Sequence, residues 1–99
     1  MASVNWSQKA LDDVEAIAVY IARDSTIYAS AIVQKIIDIT RNLHQFPLSG
    51  RIVPELNDPS IREKLTDNYR IIYRCQDDVV TIITVIHGKK QLDQTELNN

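Results

Sequence analysis

The chain has 99 residues, of which 44% are hydrophobic and 24% charged, and its formal net charge at pH 7 is −2. This length predicts one domain with a modest core, and the mildly negative charge argues against a general nucleic-acid-binding protein. The sequence has no apolar run of membrane-spanning length and no signal-peptide pattern at Met1, so we expect a cytoplasmic protein. Its single cysteine, Cys75, excludes an internal disulfide and is expected to be a small buried side chain rather than a catalytic thiol.

The first half of the chain predicts two helices. Residues 4–6 form a candidate edge strand, and residues 7–23 carry apolar side chains at helical spacing behind Ser7, a favourable N-cap. A second apolar run extends from Ala29 to Phe46, and Pro47 is expected to end that helix because it drives the preceding residue out of the α region. Since the link between the helices is short, they are predicted to pack as an antiparallel hairpin.

The second half predicts turns and strands. Residues 47–51 and 57–60 are predicted turns, and residues 52–56 between them form an irregular or extended link. Residues 61–66 alternate like a strand. The polar tail 91–99 is expected to be loose, so the predicted domain covers residues 1–99 with a loose end.

The segment from Asn68 to Lys90 predicts a β-hairpin around Asp77-Asp78. A two-residue loop would pair Gln76 with Val79, Arg74 with Thr81, Ile72 with Ile83 and Arg70 with Val85. The nearly uncharged face should meet the core; it carries Tyr69, Ile71, Tyr73, Cys75, Val80, Ile82, Thr84 and Ile86. The other face should stay open, with His87 at its end. The predicted fold class is therefore α+β, with an N-terminal helical hairpin packed on one face of a small, mainly antiparallel sheet.

The open face is the candidate binding site. It would carry Arg70, Ile72 and Arg74, with Ile83, Val85 and Lys89. Arg70 and Arg74 lie four residues apart, about 13 Å on one strand, which is too far for one phosphate. Solvent-facing aliphatic side chains between them indicate a protein partner. The sequence shows no metal-ligand spacing, phosphate-binding glycine loop or nucleophile motif, so no metal or cofactor is expected.

Short segments along nearly the whole chain resemble the RelE/ParE superfamily of bacterial toxins, and within it the ParE-like branch. The segments are Trp6-Ser7, Ala10-Leu11, Asp13, Ile17, Tyr20-Ile21, Phe46-Pro47, Ser49-Gly50-Arg51, Val53-Pro54-Glu55-Leu56, Ile61-Arg62-Glu63, Tyr69 to Arg74, and Val85 to Lys90. This resemblance implies a toxin of a type II toxin–antitoxin, or plasmid stabilisation, system. It also implies a cognate antitoxin as partner, with which a higher oligomer could form.

The superfamily contains two activities. RelE-like members cut mRNA on the ribosome, whereas ParE-like members inhibit DNA gyrase without being nucleases. If the chain were a nuclease, its site residues would be Arg62, Lys64, Arg70, His87 and Lys90. However, no aromatic residue follows Tyr73, so the C-terminal tyrosine of the nucleases has no counterpart. The resemblance therefore favours a non-enzymatic gyrase inhibitor, with an mRNA interferase or a non-toxic antitoxin-binding protein as alternatives.

Overall fold

A computed structural model describes residues 1–92 and residue 97. Its elements are β1 (Ser3–Trp6), α1 (Gln8–Ala22), α2 (Thr26–Asn42), β2 (Arg51–Ile52), β3 (Ile61–Thr66), β4 (Tyr69–Gln76) and β5 (Val79–His87). Within these residues the strands form one sheet in the order β1-β5-β4-β3-β2. Strand β1 pairs parallel with β5, and the other neighbours are antiparallel. The predicted α+β fold, with a helical hairpin on a mainly antiparallel sheet, is confirmed.

Serine side chains cap both helices. The hydroxyl of Ser7 accepts a hydrogen bond from the backbone nitrogen of Ala10, and that of Ser25 accepts one from Tyr28. Each bond satisfies a donor that a helix start otherwise leaves unpaired. Neither these helices nor any other helix in the described part of the chain is long and apolar enough to cross a membrane.

Helix α2 ends at Asn42, earlier than the predicted end at Phe46. Tight turns follow the helix, and hydrogen bonds join them to the N-terminal segment just before β1. The carbonyl of His44 accepts a 3.0 Å hydrogen bond from the backbone of Ala2, while the His44 ring lies 2.6 Å from the Ala2 carbonyl. The chain therefore leaves the helix where it contacts the N-terminal segment, and Pro47 does not determine the end.

The helices cover one face of the sheet. This helix-side core is built from Ala10, Ile32, Ile36, Leu43, Ile71, Tyr73, Val80, Ile82 and Val85. Tyr73 is the largest fully buried side chain. Its predicted place on the core face is confirmed, and Cys75 is partly buried beside the same cluster.

The hairpin begins in the predicted register and then departs from it. Gln76 pairs with Val79 and Arg74 with Thr81, around a loop whose two residues, Asp77 and Asp78, have φ values of 54° and 60°. Left-handed backbone at both loop positions matches the twist of the strands, and aspartate tolerates it better than most side chains do.

A β-bulge at Ile83 changes the second half of the register. Tyr73 pairs with Ile82, but Ile72 pairs with Thr84. The extra residue reverses the alternation beyond it. The predicted pairs Ile72 with Ile83 and Arg70 with Val85 are therefore wrong, and Val85 joins the helix-side core while Ile86 faces the opposite side.

Helix α1 supplies the hydrogen bonds that the bulge needs. The Ser7 hydroxyl donates to the Ile83 carbonyl over 2.8 Å, and the Asp13 carboxylate accepts a 3.0 Å bond from the backbone nitrogen of Val85. Asp13 also accepts from the hydroxyl of Thr84 and pairs with Lys9. These contacts occupy the edge of β5 beyond the end of β1, so the bulge is fixed by the helix beside it.

The face opposite the helices is also covered, which contradicts the predicted open face. A second core buries Val53, Ile61, Ile72, Ile83, Ile86, Leu92 and Leu97, with Leu56 beside it. The link after β2 and the segment after β5 thus cover the aliphatic strip. Of the tail predicted to be loose, Leu92 and Leu97 are buried, while residues 93–96 and 98–99 lie outside the described part.

Candidate functional site

Arg70, the centre of the predicted site, is buried. Its side chain is only 7% exposed. Its Nε donates to Glu63 over 2.6 Å, and Nη1 and Nη2 donate to the two oxygens of Glu55 over 2.7 and 2.8 Å. Two carboxylates therefore hold this guanidinium, and its pKa is raised chiefly by the hydrogen bonds to Glu55.

Glu63 joins Arg70 to Arg51 across β3. The Glu63 side chain is fully buried, and its second oxygen accepts from the Nε of Arg51. Arg51 itself is 59% exposed at the edge of the sheet. The result is a row of alternating charges running from Arg51 through Glu63 and Arg70 to Glu55. Removal of either buried member, Glu63 or Arg70, is expected to destabilise the fold strongly.

Glu55 also holds the segment that follows β5. One of its oxygens accepts a 3.1 Å hydrogen bond from the backbone nitrogen of Leu92, and Arg70 donates to the Lys90 carbonyl over 3.1 Å. The hydrogen bonds from Arg70 lower the pKa of Glu55 from 4.5 to about 2. The Arg70–Glu55 pair thus positions Leu92 over the second core.

The other predicted partner-binding residues are divided between the interior and the surface. Ile72 and Ile83 are buried in the second core and Val85 in the helix-side core. Arg74 is half-buried near the loop of Asp58, whereas Lys89 is exposed beyond β5. The structure therefore does not assemble these six residues into one exposed patch.

The predicted nuclease residues are not all assembled into one site, although Arg70 and His87 line the same pocket. Arg62 donates to the carbonyls of Pro59, Leu48 and Gly50. Lys64 is half-buried on β3 opposite Ile71, on the face toward the helices. The carbonyl of Lys90 accepts from Arg70.

His87 lies on the face opposite the one predicted. It pairs with Tyr69, and the two rings meet edge to face with centroids 5.9 Å apart. Its Nδ1 is 3.2 Å from the backbone nitrogen of Lys89. A shallow pocket of about 250 Å³ at this end of the hairpin is lined by Arg51, Arg70, His87 and Lys89, among others. It could receive an anionic group, although Arg70 reaches it already paired with carboxylates.

The residues that sequence reasoning missed are acidic. Glu55 and Glu63 determine where Arg70 points, and neither was a candidate. One signal was present: Ile61, Glu63 and Leu65 share a face of β3, so a glutamate stands on an apolar face beside a strand that carries arginine. Among the described residues no group of three histidine, cysteine, aspartate or glutamate side chains could hold a metal ion.

The fold is one that toxin–antitoxin structures share. The chain is similar to one from the chromosomal ParDE system of P. aeruginosa, with a TM-score of 0.73 and 23% identity over 90% of this chain and 98% of the other. A more distant similarity is to the RelBE2 toxin–antitoxin complex of Mycobacterium tuberculosis, with a TM-score of 0.54 and 19% identity over 87% and 96%.

The family follows from the sequence. Residues 4–92 match the family described as the ParE toxin of the type II toxin–antitoxin system parDE. A comparison with curated proteins found no match. Because the family match covers nearly the whole chain, this protein belongs to the ParE toxin family.

Proposed function

We propose that this protein is a plasmid-stabilisation toxin that inhibits DNA gyrase in the cytoplasm by binding it, without cutting nucleic acid. A cognate antitoxin would neutralise it. Membership of the ParE toxin family supports the toxin role. The choice between gyrase and the ribosome as the target depends on whether the basic side chains near the hairpin are available to bind a phosphate.

The burial and carboxylate pairing of Arg70 are the main support for gyrase over the ribosome. A nuclease needs cations that can stabilise the developing charge on the phosphate, together with a proton donor and acceptor nearby. Arg70 is 7% exposed and directs its donors at Glu55 and Glu63. A phosphate would have to displace a carboxylate from a buried pair, which costs several kcal/mol (about 3–5 by analogy with broken buried pairs).

The remaining cations do not replace it. Arg62 is bonded to backbone carbonyls, and Lys64 lies on the face toward the helices. His87 is turned toward Tyr69. These positions support a surface that binds a protein over one that positions an RNA 2′-hydroxyl for attack.

The test compares the two targets directly. Purified protein is added to a gyrase supercoiling assay and, separately, to translating ribosomes with a defined mRNA. We expect loss of supercoiling and intact mRNA. Codon-dependent cleavage without any effect on gyrase would instead establish the mRNA interferase, the alternative that the pocket of Arg51, His87 and Lys89 favours.

The antitoxin is tested by thermal melting. A partner that binds only the folded toxin raises its melting temperature with concentration. We expect such a rise with the protein encoded beside the toxin gene. If this ParE-family protein bound that neighbouring gene product but affected neither gyrase nor ribosomes, it would be a non-toxic antitoxin-binding protein.

A further inference from the structure

Three tyrosines from three elements meet at one end of the molecule. Tyr20 lies in the last turn of α1, Tyr28 lies in the first turn of α2, and Tyr69 begins β4. Between them lies a pocket of about 320 Å³, here called the tyrosine pocket. It is lined by Tyr20, Ile21, Asp24, Ser25, Tyr28, Asn68, Tyr69 and His87. It lies on the helix side of the sheet, away from the paired Arg70.

Ser25 and His87 in this pocket have backbone partners, but its phenols and its carboxylate lack partners among the described residues. Within residues 1–92 and 97, the hydroxyls of Tyr20, Tyr28 and Tyr69 make no hydrogen bond, and the Asp24 carboxylate makes no ion pair. Tyr73 is a useful contrast, because its hydroxyl both donates and accepts in the core. Phenols and a carboxylate that share a surface pocket without partners are available to a ligand.

The electrostatics of the pocket favour a cation. Tyrosine rings carry negative potential on their faces, and Asp24 adds a full negative charge. The pKa of the Tyr69 phenol is raised, chiefly by burial and to a lesser extent by Tyr28, Tyr20 and Asp67 nearby.

The chain itself shows which cation suits these rings. The guanidinium of Arg23 lies 5.8 Å from the centre of the Tyr20 ring. Arg23 itself is not among the residues that line the tyrosine pocket. A guanidinium is planar, stacks on aromatic rings and can bond a carboxylate through two parallel N–H groups, which an ammonium cannot do.

The surroundings indicate that this cation belongs to a protein. Ile27 is 84% exposed and Val19 is 58% exposed, and each adjoins one of the pocket tyrosines in the chain. Exposed aliphatic side chains on the same two helices as these tyrosines are typical of a protein-binding surface, in which arginine is a preferred central residue.

We propose that the tyrosine pocket binds an arginine side chain of a protein partner, with the guanidinium stacked between the rings and bonded to Asp24. This inference is independent of whether gyrase is the target. A partner would present the arginine from a segment lying across the turn between the two helices, where Val19 and Ile27 would contact its apolar side chains.

The experiment uses the whole chain and three short blocked peptides, Gly-Arg-Gly, Gly-Lys-Gly and Gly-citrulline-Gly. Binding is followed by the NMR signals of ¹³C-labelled tyrosine rings. We expect saturable shifts at Tyr20, Tyr28 and Tyr69 with the arginine peptide, and binding at least about fivefold weaker with citrulline, which keeps the shape but lacks the charge. Tyr73, buried in the core, is the internal reference that should not move.

Two substitutions make the test specific. Asp24→Asn should weaken arginine binding by about threefold, as for an exposed ion pair, and Tyr28→Leu should abolish the saturable shifts. Asp77→Asn, at an exposed acid in the loop at the opposite end of the β4–β5 hairpin, is the matched control and should change nothing. Equal binding of citrulline and arginine, unchanged binding in Asp24→Asn, or the absence of saturable shifts would each overturn the proposal.

Discussion

The backbone nitrogen of Gly50 donates a 3.0 Å hydrogen bond to the phenolic oxygen of Tyr73, 23 residues later in the chain. The same hydroxyl donates to the carbonyl of Pro47 over 2.8 Å. Tyr73 therefore anchors the turn between α2 and β2 to the centre of the sheet. This pair explains why a buried tyrosine, and not a phenylalanine, is required at this place: two backbone groups in the interior depend on its oxygen.

Removing this oxygen should cost stability without emptying the core. We expect Tyr73→Phe to lower the free energy of unfolding by about 1–3 kcal/mol, since Gly50 and Pro47 lose their partner. Tyr73→Ala should cost about 3–5 kcal/mol because a cavity is added. Urea denaturation measures both. If the phenylalanine variant were as stable as the parent chain, the hydroxyl bonds would contribute nothing.

Gly50→Ala should be more damaging than most glycine substitutions. A Cβ at this position would lie 2.6 Å from the Glu63 carbonyl and 2.7 Å from the Tyr73 hydroxyl. Either the turn or the sheet must move, so we expect a loss of about 1–3 kcal/mol. Gly88→Ala is the control, because its nearest contact would be an easier 3.3 Å to Asn68. Melting of the two variants side by side is the measurement, and equal stability would contradict the close approach.

The two arginines of β4 should behave differently although they lie on the same strand. Arg70→Ala leaves Glu63 buried with only Arg51 beside it and leaves Glu55 without its guanidinium, so we expect a loss of about 3–5 kcal/mol. Arg74→Ala should change stability by less than about 0.5 kcal/mol, since no carboxylate is paired with it among the described residues. Chemical denaturation measures both free energies of unfolding. Similar effects of the two substitutions would show that the row of alternating charges is not formed.

Acid should weaken the Arg70–Glu55 pair in a defined range. The pKa of Glu55 falls from 4.5 to about 2 in the folded protein. Because the folded pKa lies below the unfolded one, the stabilisation is complete above about 4.5 and is lost as the pH falls from there to about 2. We expect Glu55→Gln to be less stable at neutral pH and to show a shallower fall of stability across this range. Identical slopes for the parent chain and Glu55→Gln would contradict the assignment.

The contact between α1 and the bulge can be tested by a pair of neighbouring aspartates. Asp13 accepts from the backbone of Val85, whereas in the described part of the chain Asp12 accepts only from the exposed side chain of Gln8. Asp13→Ala should therefore cost about 1–3 kcal/mol and Asp12→Ala about 0.5 kcal/mol or less. Hydrogen exchange at the Val85 amide gives a local readout, which should accelerate in the first variant alone.

The sequence predicted the architecture because the helical and strand periodicities were strong. The capping residue Ser7 and the loop at Asp77-Asp78 were both visible as local signals. The bulge was not visible in the sequence, because β5 has apolar residues at both odd and even positions: Ile82, Ile83, Val85 and Ile86. Either register buries similar side chains, so alternation carries no information there. The bulge depends on hydrogen bonds from Ser7 and Asp13, which are more than 70 residues away in the chain.

The candidate site was predicted less well for a related reason. An arginine on a strand is expected to face water, and only a partner carboxylate on the same face changes that expectation. Glu63 lies on the neighbouring strand, but Glu55 and the segment around Leu92 come from irregular structure whose position no local pattern specifies. Ile72, Ile83 and Val85 were predicted to lie on an open face and to be covered by a protein partner; the chain itself covers them.

Strand β5 lies between β1 and β4 although it is the last strand of the sheet to be synthesised. Until residues 79–87 have been synthesised, β1 has no neighbouring strand and the inner face of α1 has no strand to bond. The complete sheet therefore cannot form. The order of synthesis therefore delays the native fold until nearly all described residues have been made. For a toxin this has a consequence of its own: a chain cut short before β5, by a premature stop or by proteolysis, should be an unfolded fragment for degradation and not a partly active poison.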